Sequence, residues 1–360
     1  MGRAFVYVIL GGGVTAGYAA LEFTRKGVQP GELCIISEES VAPYERPALS
    51  KGYLLPEAPA RLPAFHTCVG AIDERLHQNG IELVLGTRVK AADLRRKTLL
   101  TATGETISYK TLIIATGARA LKLEEFGIRG AGAENICYLR SLSDANKLVD
   151  VMKASSGGHA VVIGGGYIGM ECAAALVTNR IRVTMVFLKP IAIADFYEEY
   201  YESKGVNFIK GTVLASFENN SDGKVMAVIL RDGTRVPTDM VVVGIGITPN
   251  TSLFEVNGQM QTSNSSVYAV GDVAAFPVKL FGGGARRLRH NGTWEDQRFD
   301  YLPFFYSRVF GLSWQFYGDN RGEVVHYGDF AGARFGAYWV DRGRVVGPSS
   351  RAETGRSMRP

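Results

Sequence analysis

The sequence is poor in cysteine, with only four in 360 residues, and no two of them lie close together in the chain. Their positions, Cys34, Cys68, Cys137 and Cys172, give no CxxC pair and no spacing typical of zinc ligands. Scarce and unpaired cysteines are usual in proteins of reducing, intracellular compartments. The cysteine pattern therefore excludes a disulfide scaffold and a local dithiol redox centre, and we expect no metal site.

Long apolar runs and a strong excess of charge are also absent. The apolar run at residues 4–10 is seven residues long, which is too short for a membrane span. The net charge is only +5, and basic and acidic residues alternate along most of the chain, so we expect neither a membrane nor a nucleic acid as partner. Because glycines rather than a cleavage site follow the run, we expect no signal peptide. We expect a cytoplasmic protein and leave a peroxisomal address open.

Glycine, in contrast, is abundant, with 43 residues of 360, or about 12% against a usual ~7%. Gly11–Gly13 follow a predicted strand, Phe5–Leu10, and precede a predicted helix, Val14–Lys26. In such a unit, glycines allow the tight turn and let backbone N–H groups meet a pyrophosphate at the helix N-terminus. Glu38 and Glu39 follow the next predicted strand, and either carboxylate could accept hydrogen bonds from a ribose. The segment therefore predicts a dinucleotide site.

The same pattern returns 153 residues later. The predicted strand Ala160–Ile163 leads into Gly164–Gly166, the predicted helix Tyr167–Thr178 follows, and Val183–Phe187 forms the next predicted strand. No acid follows this last strand. Lys189 could face the 2′-phosphate of NADPH or could be an ordinary solvated side chain, so the choice between NADH and NADPH stays open.

Two further strand ends carry polar residues suited to a cofactor. Ile113–Gly117 forms a buried strand that ends at glycine, where the chain can pass close to a ligand. Tyr268–Asp272 places the carboxylate of Asp272 after another strand, where it suits a polyol hydroxyl such as that of a ribityl chain. The alternative for Asp272 is a helix N-cap, and both roles could hold together.

These features together resemble the FAD/NAD-linked flavoprotein reductases that have two dinucleotide domains. The run Ala42–Lys51 (APYERPALSK) narrows the resemblance to the branch without a dithiol, and within it to the plant-type monodehydroascorbate reductases. Supporting runs are Val161–Glu171, Tyr200–Gly211, Val267–Phe276 and Tyr301–Asn320. The resemblance covers residues 4 to about 347.

The resemblance implies an α/β fold with two Rossmann-like domains, one for FAD and one for NAD, and a small C-terminal α+β interface domain. We expect the FAD-binding domain in residues 1–120 and 256–300, and the NAD-binding domain in 121–255. The interface domain is then 301–347, and residues 348–360 form a tail unlike the family's C-terminal helices.

The resemblance also implies FAD and NADH as cofactors and the monodehydroascorbate radical as substrate. A nicotinamide delivers a hydride, which carries two electrons, whereas the radical accepts one, and a flavin can convert between the two. The residues expected to hold FAD are Gly11, Gly12, Gly13, Val14, Glu38 or Glu39, Arg46, Lys51, Val89, Thr116, Gly117, Arg140, Gly271, Asp272 and Tyr306. Those expected at the NAD site are Gly164, Gly165, Gly166, Tyr167, Ile168, Gly169, Glu171 and Gly246. Lys51 and Tyr306 are the expected catalytic residues, with Tyr306 against the flavin ring.

The chain is also shorter than the family pattern at several internal points. One gap follows Phe187, another follows Glu255, and a helix that normally follows Leu288 is replaced by a segment without helical periodicity. Two alternatives therefore stay open beside ascorbate recycling. One is a reductase for an iron–sulfur or rubredoxin-like electron carrier, and the other is a catalytically impaired nucleotide-binding paralogue or splice product. The sequence does not indicate an oligomeric state.

Overall fold

The computed structural model describes residues 2–56, 80–188, 194–251, 264–274, 302–329 and 334–351. The chain divides into two compact units. Unit 1 comprises Met1–Arg46, Leu62–Arg119 and Ile247–Asp300, and unit 2 comprises Pro47–Arg61, Ala120–Gly246 and Tyr301–Pro360. Compared with the predicted domains, residues 47–61 belong to unit 2 and residues 247–255 belong to unit 1. The assignment of one domain to each cofactor stays a prediction.

The described residues contain strands, α-helices and short 3₁₀ helices. The strands are β1 (Arg3–Leu10), β2 (Leu33–Ile36), β3 (Glu82–Val84), β4 (Val89–Asp93), β5 (Thr98–Thr101), β6 (Thr106–Ile114), β7 (Ala118–Ala120), β8 (Ile136–Cys137), β9 (His159–Ile163), β10 (Arg182–Phe187), β11 (Val206–Lys210), β12 (Leu214–Asn219), β13 (Val225–Leu230), β14 (Arg235–Pro237), β15 (Met240–Val243), β16 (Ile247–Pro249), β17 (Val267–Ala269), β18 (Phe304–Val309), β19 (Leu312–Tyr317), β20 (Glu323–Asp329), β21 (Arg334–Asp341) and β22 (Arg344–Arg351). The α-helices are α1 (Val14–Arg25), α2 (Leu142–Ala154), α3 (Tyr167–Thr178) and α4 (Ala194–Glu202), and the 3₁₀ helices are Arg46–Ser50, Gly52–Leu54, Leu123–Phe126 and Gly271–Val273.

Unit 1 is built on a seven-stranded sheet of order β3-β2-β1-β6-β5-β4, in which β17 also pairs with β6. The strands β1, β2, β3, β6 and β17 pair in parallel, whereas β4 and β5 add antiparallel partners. Val8 and Ile9 are consecutive in β1 and both are fully buried. Because consecutive strand residues point to opposite faces, both faces of the sheet are covered. The carboxyl ends of β1, β6 and β17 therefore meet at one edge, where α1 begins.

Unit 2 contains a second parallel sheet, of order β11-β10-β9-β15-β8. The helix α3 follows β9, and most of its residues are buried, including the acidic residue Glu171. An antiparallel sheet of β12, β13 and β14 belongs to the same unit. The α/β fold class with two βαβ glycine loops is thus confirmed, and it places Glu171 inside the protein.

The C-terminal part of unit 2 is a five-stranded antiparallel sheet of order β18-β19-β22-β21-β20. Its alternating aromatics bury one face, with Trp314, Phe335 and Trp339 each about 4% exposed. The described residues of this part form strands, so the helical share of the expected α+β piece is not found among them. Residues 348–351 lie in β22, so the sheet crosses the boundary expected between 347 and 348. Residues 352–360, like 256–263 and 275–300, lie outside the described residues.

The side chain of Asn135 joins β13 to the parallel sheet of unit 2. Its Nδ2 donates to the carbonyl oxygens of Val225 and Asp239 at 2.9 and 2.8 Å, and its Oδ1 accepts from the backbone N–H of Val225 at 2.8 Å. Asn135 is only 7% exposed, so removing its amide leaves several buried backbone groups unsatisfied. We expect Asn135→Ala to lower the free energy of unfolding by about 2–4 kcal/mol.

Urea denaturation measures this effect, and Asn207→Ala is the matched control. Asn207 is exposed on β11, and substitutions at such surface positions usually change stability by less than about 0.5 kcal/mol. Equal midpoints for the two variants would show that the Asn135 hydrogen bonds contribute nothing.

Candidate active site

The first glycine loop, in unit 1, has the geometry of a phosphate cradle. Gly11 has φ +123°, and a Cβ there would overlap the carbonyl oxygen of Ala115. Gly13 is the N-cap of α1, and it makes no side-chain capping hydrogen bond; nor does an acidic residue lie in the first turn, which begins at Val14. The N–H groups of this helix end therefore have no side-chain cap from Gly13, and they carry the positive end of the helix dipole, which suits an anion. The residues present fit the pyrophosphate of a dinucleotide.

The two candidate ribose acids lie in different surroundings. Glu39 accepts hydrogen bonds from the Tyr44 hydroxyl at 2.7 Å and from the Arg46 guanidinium, and its side chain is 21% exposed. Glu38 is 73% exposed and lies 4.0 Å from Arg88. The Arg46 Nε would lie 3.7 Å from a Cβ on Gly13. The Glu39–Arg46 pair thus lies beside the first glycine loop.

The other expected FAD residues of unit 1 lie at strand ends. Thr116 and Gly117 exchange hydrogen bonds with Asn250: the Thr116 hydroxyl donates to the Asn250 carbonyl at 3.0 Å, and the Asn250 N–H donates to the Gly117 carbonyl at 2.9 Å. Gly271 has φ +78°, and a Cβ there would overlap the Thr15 hydroxyl. Asp272 follows Gly271 and therefore lies close to the start of α1. Val89 is the first residue of β4 and is buried.

The structure corrects one alternative for Asp272. The N-cap of the 3₁₀ helix Gly271–Val273 is Val270, and Asp272 is the second residue of that helix. The carboxylate therefore does not occupy the capping position that the sequence allowed. Asp272 lies at the carboxyl end of β17, so binding of a ribityl chain remains our interpretation of its role.

The second glycine loop, in unit 2, repeats the geometry of the first. Gly164 has φ +111°, and a Cβ there would overlap the carbonyl oxygen of Gly244. A Cβ on Gly165 would lie 2.9 Å from the Phe187 ring, and one on Gly169 would overlap the Gly164 carbonyl. Gly166 caps α3 without a side-chain hydrogen bond, and a Cβ there would meet nothing within 4 Å. This helix end also fits a dinucleotide phosphate.

The remaining expected residues of the NAD site surround that loop. Tyr167 and Ile168 begin α3, and the exposed Tyr167 ring lies 4.2 Å from the Phe305 ring. Gly246 has φ +119° and accepts a hydrogen bond from the N–H of Leu121. Arg140, expected at FAD, belongs to unit 2 and directs its backbone N–H to Asp144. The coenzyme-selecting candidate Lys189 lies outside the described residues.

Glu171 lies in a buried polar cluster within unit 2. Its side chain is 2% exposed. Lys51 Nζ donates to Glu171 Oε2 at 2.9 Å, the Ser50 hydroxyl donates to the same oxygen, and the Ser307 hydroxyl donates to Oε1 at 2.6 Å. The carboxylate, expected at the NAD site, is thus held by three donors of the protein itself.

The two expected catalytic residues lie together in this cluster. Lys51 Nζ lies 4.9 Å from the centre of the Tyr306 ring, a cation–π distance. The same ammonium donates to the Pro47 carbonyl at 2.9 Å, and the Lys51 side chain is 9% exposed. A charged ammonium is therefore fixed between a carboxylate and an aromatic ring.

Sequence reasoning missed Ser50 and Ser307. Both hydroxyls reach Glu171 from positions far away in the chain, 121 and 136 residues distant. Ser50 lies inside the run Ala42–Lys51, and nothing in the pattern of its neighbours assigns it a role. Nothing in the sequence near Ser307 signals a buried carboxylate partner.

Burial makes the described cysteines poor nucleophiles. Desolvation raises the pKa of Cys137 to about 11 and of Cys34 to about 12, and it raises the pKa of Cys172 further, with the Glu171 charge adding to it. At pH 8 a thiol of pKa about 11 is roughly one part in a thousand thiolate. We expect these three cysteines to resist a thiol-alkylating reagent at pH 8 in the native protein and to react on unfolding, as measured by peptide mass spectrometry.

The same shifts set a pH dependence of stability. The thiols stay protonated in the folded protein above pH 8.5, where they ionise in the unfolded chain, so the unfolded state gains stability as the pH rises. The free energy of unfolding should therefore fall between about pH 8.5 and 11. Rapid alkylation of any of these three cysteines in the native protein at pH 8 would contradict their raised pKa values.

Among the described residues, no cluster of three or more His, Cys, Asp or Glu side chains has the arrangement of a metal site. None of the helices in the described ranges is long and apolar enough to cross a membrane.

Two glycine loops at the carboxyl ends of parallel sheets, each without a capping side chain, are typical of oxidoreductases that bind two dinucleotides. In agreement, residues 5–295 match the family model for pyridine nucleotide-disulphide oxidoreductases. Residues 302–357 match the model for the C-terminal domain of monodehydroascorbate reductase 3-like proteins. This match extends past residue 348, so part of the expected atypical tail resembles the family after all. The chain belongs to the monodehydroascorbate reductase family.

Similar curated proteins support this membership. The chain is 67% identical to the peroxisomal monodehydroascorbate reductase 2 of Oryza sativa subsp. japonica over 389 positions, covering 96% of this chain and 82% of the relative. It is 49% identical to the cytosolic monodehydroascorbate reductase 4 of the same plant, covering 96% and 90%. The first alignment is longer than this 360-residue chain. The relative therefore has internal segments that this chain lacks, as the gaps predicted.

Solved structures share the fold at lower identity. A ferredoxin reductase from Rhodopseudomonas palustris superposes with a TM-score of 0.84 at 28% identity, covering 96% of this chain and 91% of that one. The reductase in the covalent putidaredoxin reductase–putidaredoxin complex gives 0.82 at 28% identity, covering 97% and 90%.

Proposed function

We propose that the protein is an NAD(P)H-dependent monodehydroascorbate reductase. The main support is that this chain, a member of the family, has two uncapped glycine loops together with the Lys51–Glu171–Tyr306 cluster. One NADH supplies two electrons, so two radicals are reduced to two ascorbates while one NAD⁺ forms and one proton is taken up. FAD supplies the conversion between two-electron and one-electron transfer.

Unit 1 would bind FAD. The first glycine loop and the start of α1 would hold the pyrophosphate, and Glu39, fixed by Arg46 beside the loop, would accept from the ribose hydroxyls. We prefer Glu39 to Glu38 because Glu38 is largely exposed and lies against Arg88. Asp272, at the end of β17, would bind the ribityl chain. Val89, Thr116, Gly117 and Arg140 stay proposed contacts of the same cofactor.

The second glycine loop would hold the pyrophosphate of the nicotinamide coenzyme. Tyr167, Ile168 and Gly246 would line this site. Leu188, which follows β10, is 57% exposed and carries no charge, so no acid directly after this strand selects the ribose of NADH. We propose NADH as the donor, as the resemblance implies, with NADPH as the second donor to be tested.

The Lys51 ammonium and the Tyr306 ring would face the reacting part of the flavin and the substrate. The monodehydroascorbate radical is a small anion, and Lys51 provides a fixed positive charge that attracts it and orients it. Tyr306 provides a flat apolar surface with a hydroxyl at its edge. Glu171 would act through Lys51, because its carboxylate lies among donors of the protein.

The proposal is tested with the purified full chain. Its visible spectrum is recorded after incubation with FAD, NADH is added anaerobically, and ascorbate oxidase with ascorbate then supplies the radical. We expect a yellow protein that NADH bleaches, followed by NADH consumption with two radicals reduced per NADH. NADPH in place of NADH measures the coenzyme preference.

Other outcomes would reject the proposal in distinguishable ways. A colourless protein that cannot be reconstituted with FAD would support the impaired paralogue. A protein bleached by NADH but not reoxidised by the radical would favour an iron–sulfur carrier as acceptor, which the reductases of similar fold make a concrete alternative. For location we propose the cytoplasm, with the peroxisome as alternative, because the similar plant reductases include both kinds.

A further inference from the structure

We propose that Ser307 is a positioning residue that fixes the Lys51–Glu171 ion pair against the Tyr306 ring. The inference rests on the proposed function, since it assigns a task to a residue beside the expected catalytic group. It starts from one contact, the 2.6 Å hydrogen bond from the Ser307 hydroxyl to Glu171 Oε1.

The two oxygens of Glu171 are unequally satisfied. Oε2 accepts from both Lys51 and Ser50, and Oε1 accepts from Ser307. The terminal torsion of a glutamate side chain is broad and roughly two-fold, so packing alone selects the carboxylate plane weakly. The Ser307 hydroxyl therefore selects this plane and keeps Oε2 directed at Lys51.

Because Ser307 follows Tyr306 in β18, the orientation of the Glu171 carboxylate is linked to the position of the Tyr306 ring. Tyr306 and Ser307 are consecutive residues of β18, so one short stretch of backbone joins their side chains. Tyr306 contacts the ammonium side of the ion pair, and Ser307 contacts its carboxylate side. One strand thus contacts both members of the pair, and a shift of either contact moves the ammonium relative to the ring.

Burial makes the Ser307 hydrogen bond important. Ser307 is 6% exposed and Glu171 is 2% exposed, so water cannot easily replace the missing hydroxyl. A buried charged acceptor that loses its donor bears the full desolvation cost of that site. We expect the ion pair to loosen in Ser307→Ala, while Ser307→Thr, which keeps the hydroxyl, retains it.

The first test measures Lys51 without any cofactor or turnover. Apo-protein is acetylated with a limiting amount of acetic anhydride, and the labelled fraction of Lys51 is measured by peptide mass spectrometry. An ammonium held by a carboxylate reacts slowly, so Ser307→Ala should raise Lys51 labelling by about tenfold relative to the exposed lysines. Ser307→Thr should label like the wild type.

A matched control and a second background exclude a general packing effect. Ser349 is also a buried serine of the C-terminal sheet, 5% exposed, so Ser349→Ala should leave Lys51 labelling unchanged. In a Glu171→Gln background the charged acceptor is absent, and adding Ser307→Ala should then change labelling little, because the two changes act on one contact.

The second test uses the holoenzyme and separates this inference from the proposed function. We expect Ser307→Ala to slow flavin bleaching by NADH or reoxidation by the radical by about tenfold. Its FAD content and melting temperature should equal those of the Ser349→Ala control. A wild type that fails to reduce the radical would reject the proposed function alone, since labelling and bleaching still report on Ser307. Wild-type labelling and bleaching in Ser307→Ala would overturn the positioning role.

Discussion

Replacing Lys51 with methionine should lower the melting temperature by roughly 10 °C, because the change leaves the buried Glu171 carboxylate without its counter-charge. The Lys51 and Glu171 side chains are 9% and 2% exposed. Removing one member of such a buried pair typically costs about 3–5 kcal/mol. NADH-dependent radical reduction should fall at least about 100-fold, because the fixed positive charge is lost.

The double variant Lys51→Met/Glu171→Met distinguishes stability from catalysis. Removing both charges replaces the buried pair with apolar side chains, a change that is often neutral or stabilising. We expect the double variant to recover most of the melting temperature but none of the activity. The surface variant Lys153→Met is the control, because Lys153 and its partner Asp150 are each about three-quarters exposed and such pairs contribute little.

Calorimetry and the radical-reduction assay decide between the outcomes. If Lys51→Met alone melted like the Lys153→Met control, the Lys51–Glu171 ion pair would contribute nothing to the stability of the protein. If the double variant kept wild-type turnover, Lys51 would have no role in the reaction.

The features that the sequence predicted are the local ones. The strand–glycine–helix order at Gly11–Gly13 and Gly164–Gly166 depends on residues that are neighbours in the chain, and both loops form as expected. Glycine is required at positions 11 and 164 because the φ angles are positive and nearby carbonyl oxygens leave no room for a Cβ. Composition and periodicity were enough to locate these turns.

The features that the sequence did not predict depend on contacts between distant residues. Ser307 meets Glu171 because β18 packs against α3, whereas Ser50 and Lys51 reach it from the 3₁₀ helix Arg46–Ser50 and the residue that follows. No pattern along the chain reports these contacts. Glu171 lies two residues after the glycine loop, so the sequence associated it with the coenzyme. Because α3 is buried on almost all sides, the Glu171 carboxylate instead points into the protein.

Alanine at the two loop glycines should remove the two cofactors separately. Gly11→Ala should yield a protein that purifies without FAD, because a Cβ would overlap the Ala115 carbonyl and the positive φ disfavours alanine. Gly164→Ala should yield a yellow protein that NADH no longer bleaches, because the Gly244 carbonyl leaves no room for a Cβ in the second loop. Each displaced loop misplaces the N–H groups that would bind a pyrophosphate.

Gly27→Ala is the control for backbone strain alone. Gly27 has φ +81°, but a Cβ there would meet nothing within 4 Å, so only the conformational cost of about 1 kcal/mol applies. Bound flavin is measured by absorbance after denaturation, and coenzyme binding by the rate of anaerobic bleaching. Normal flavin content in Gly11→Ala would place FAD elsewhere, and loss of flavin rather than of bleaching in Gly164→Ala would exchange the roles of the two loops. The selective pattern is expected because each clash involves backbone atoms of its own unit, where no side chain can rotate away to relieve it.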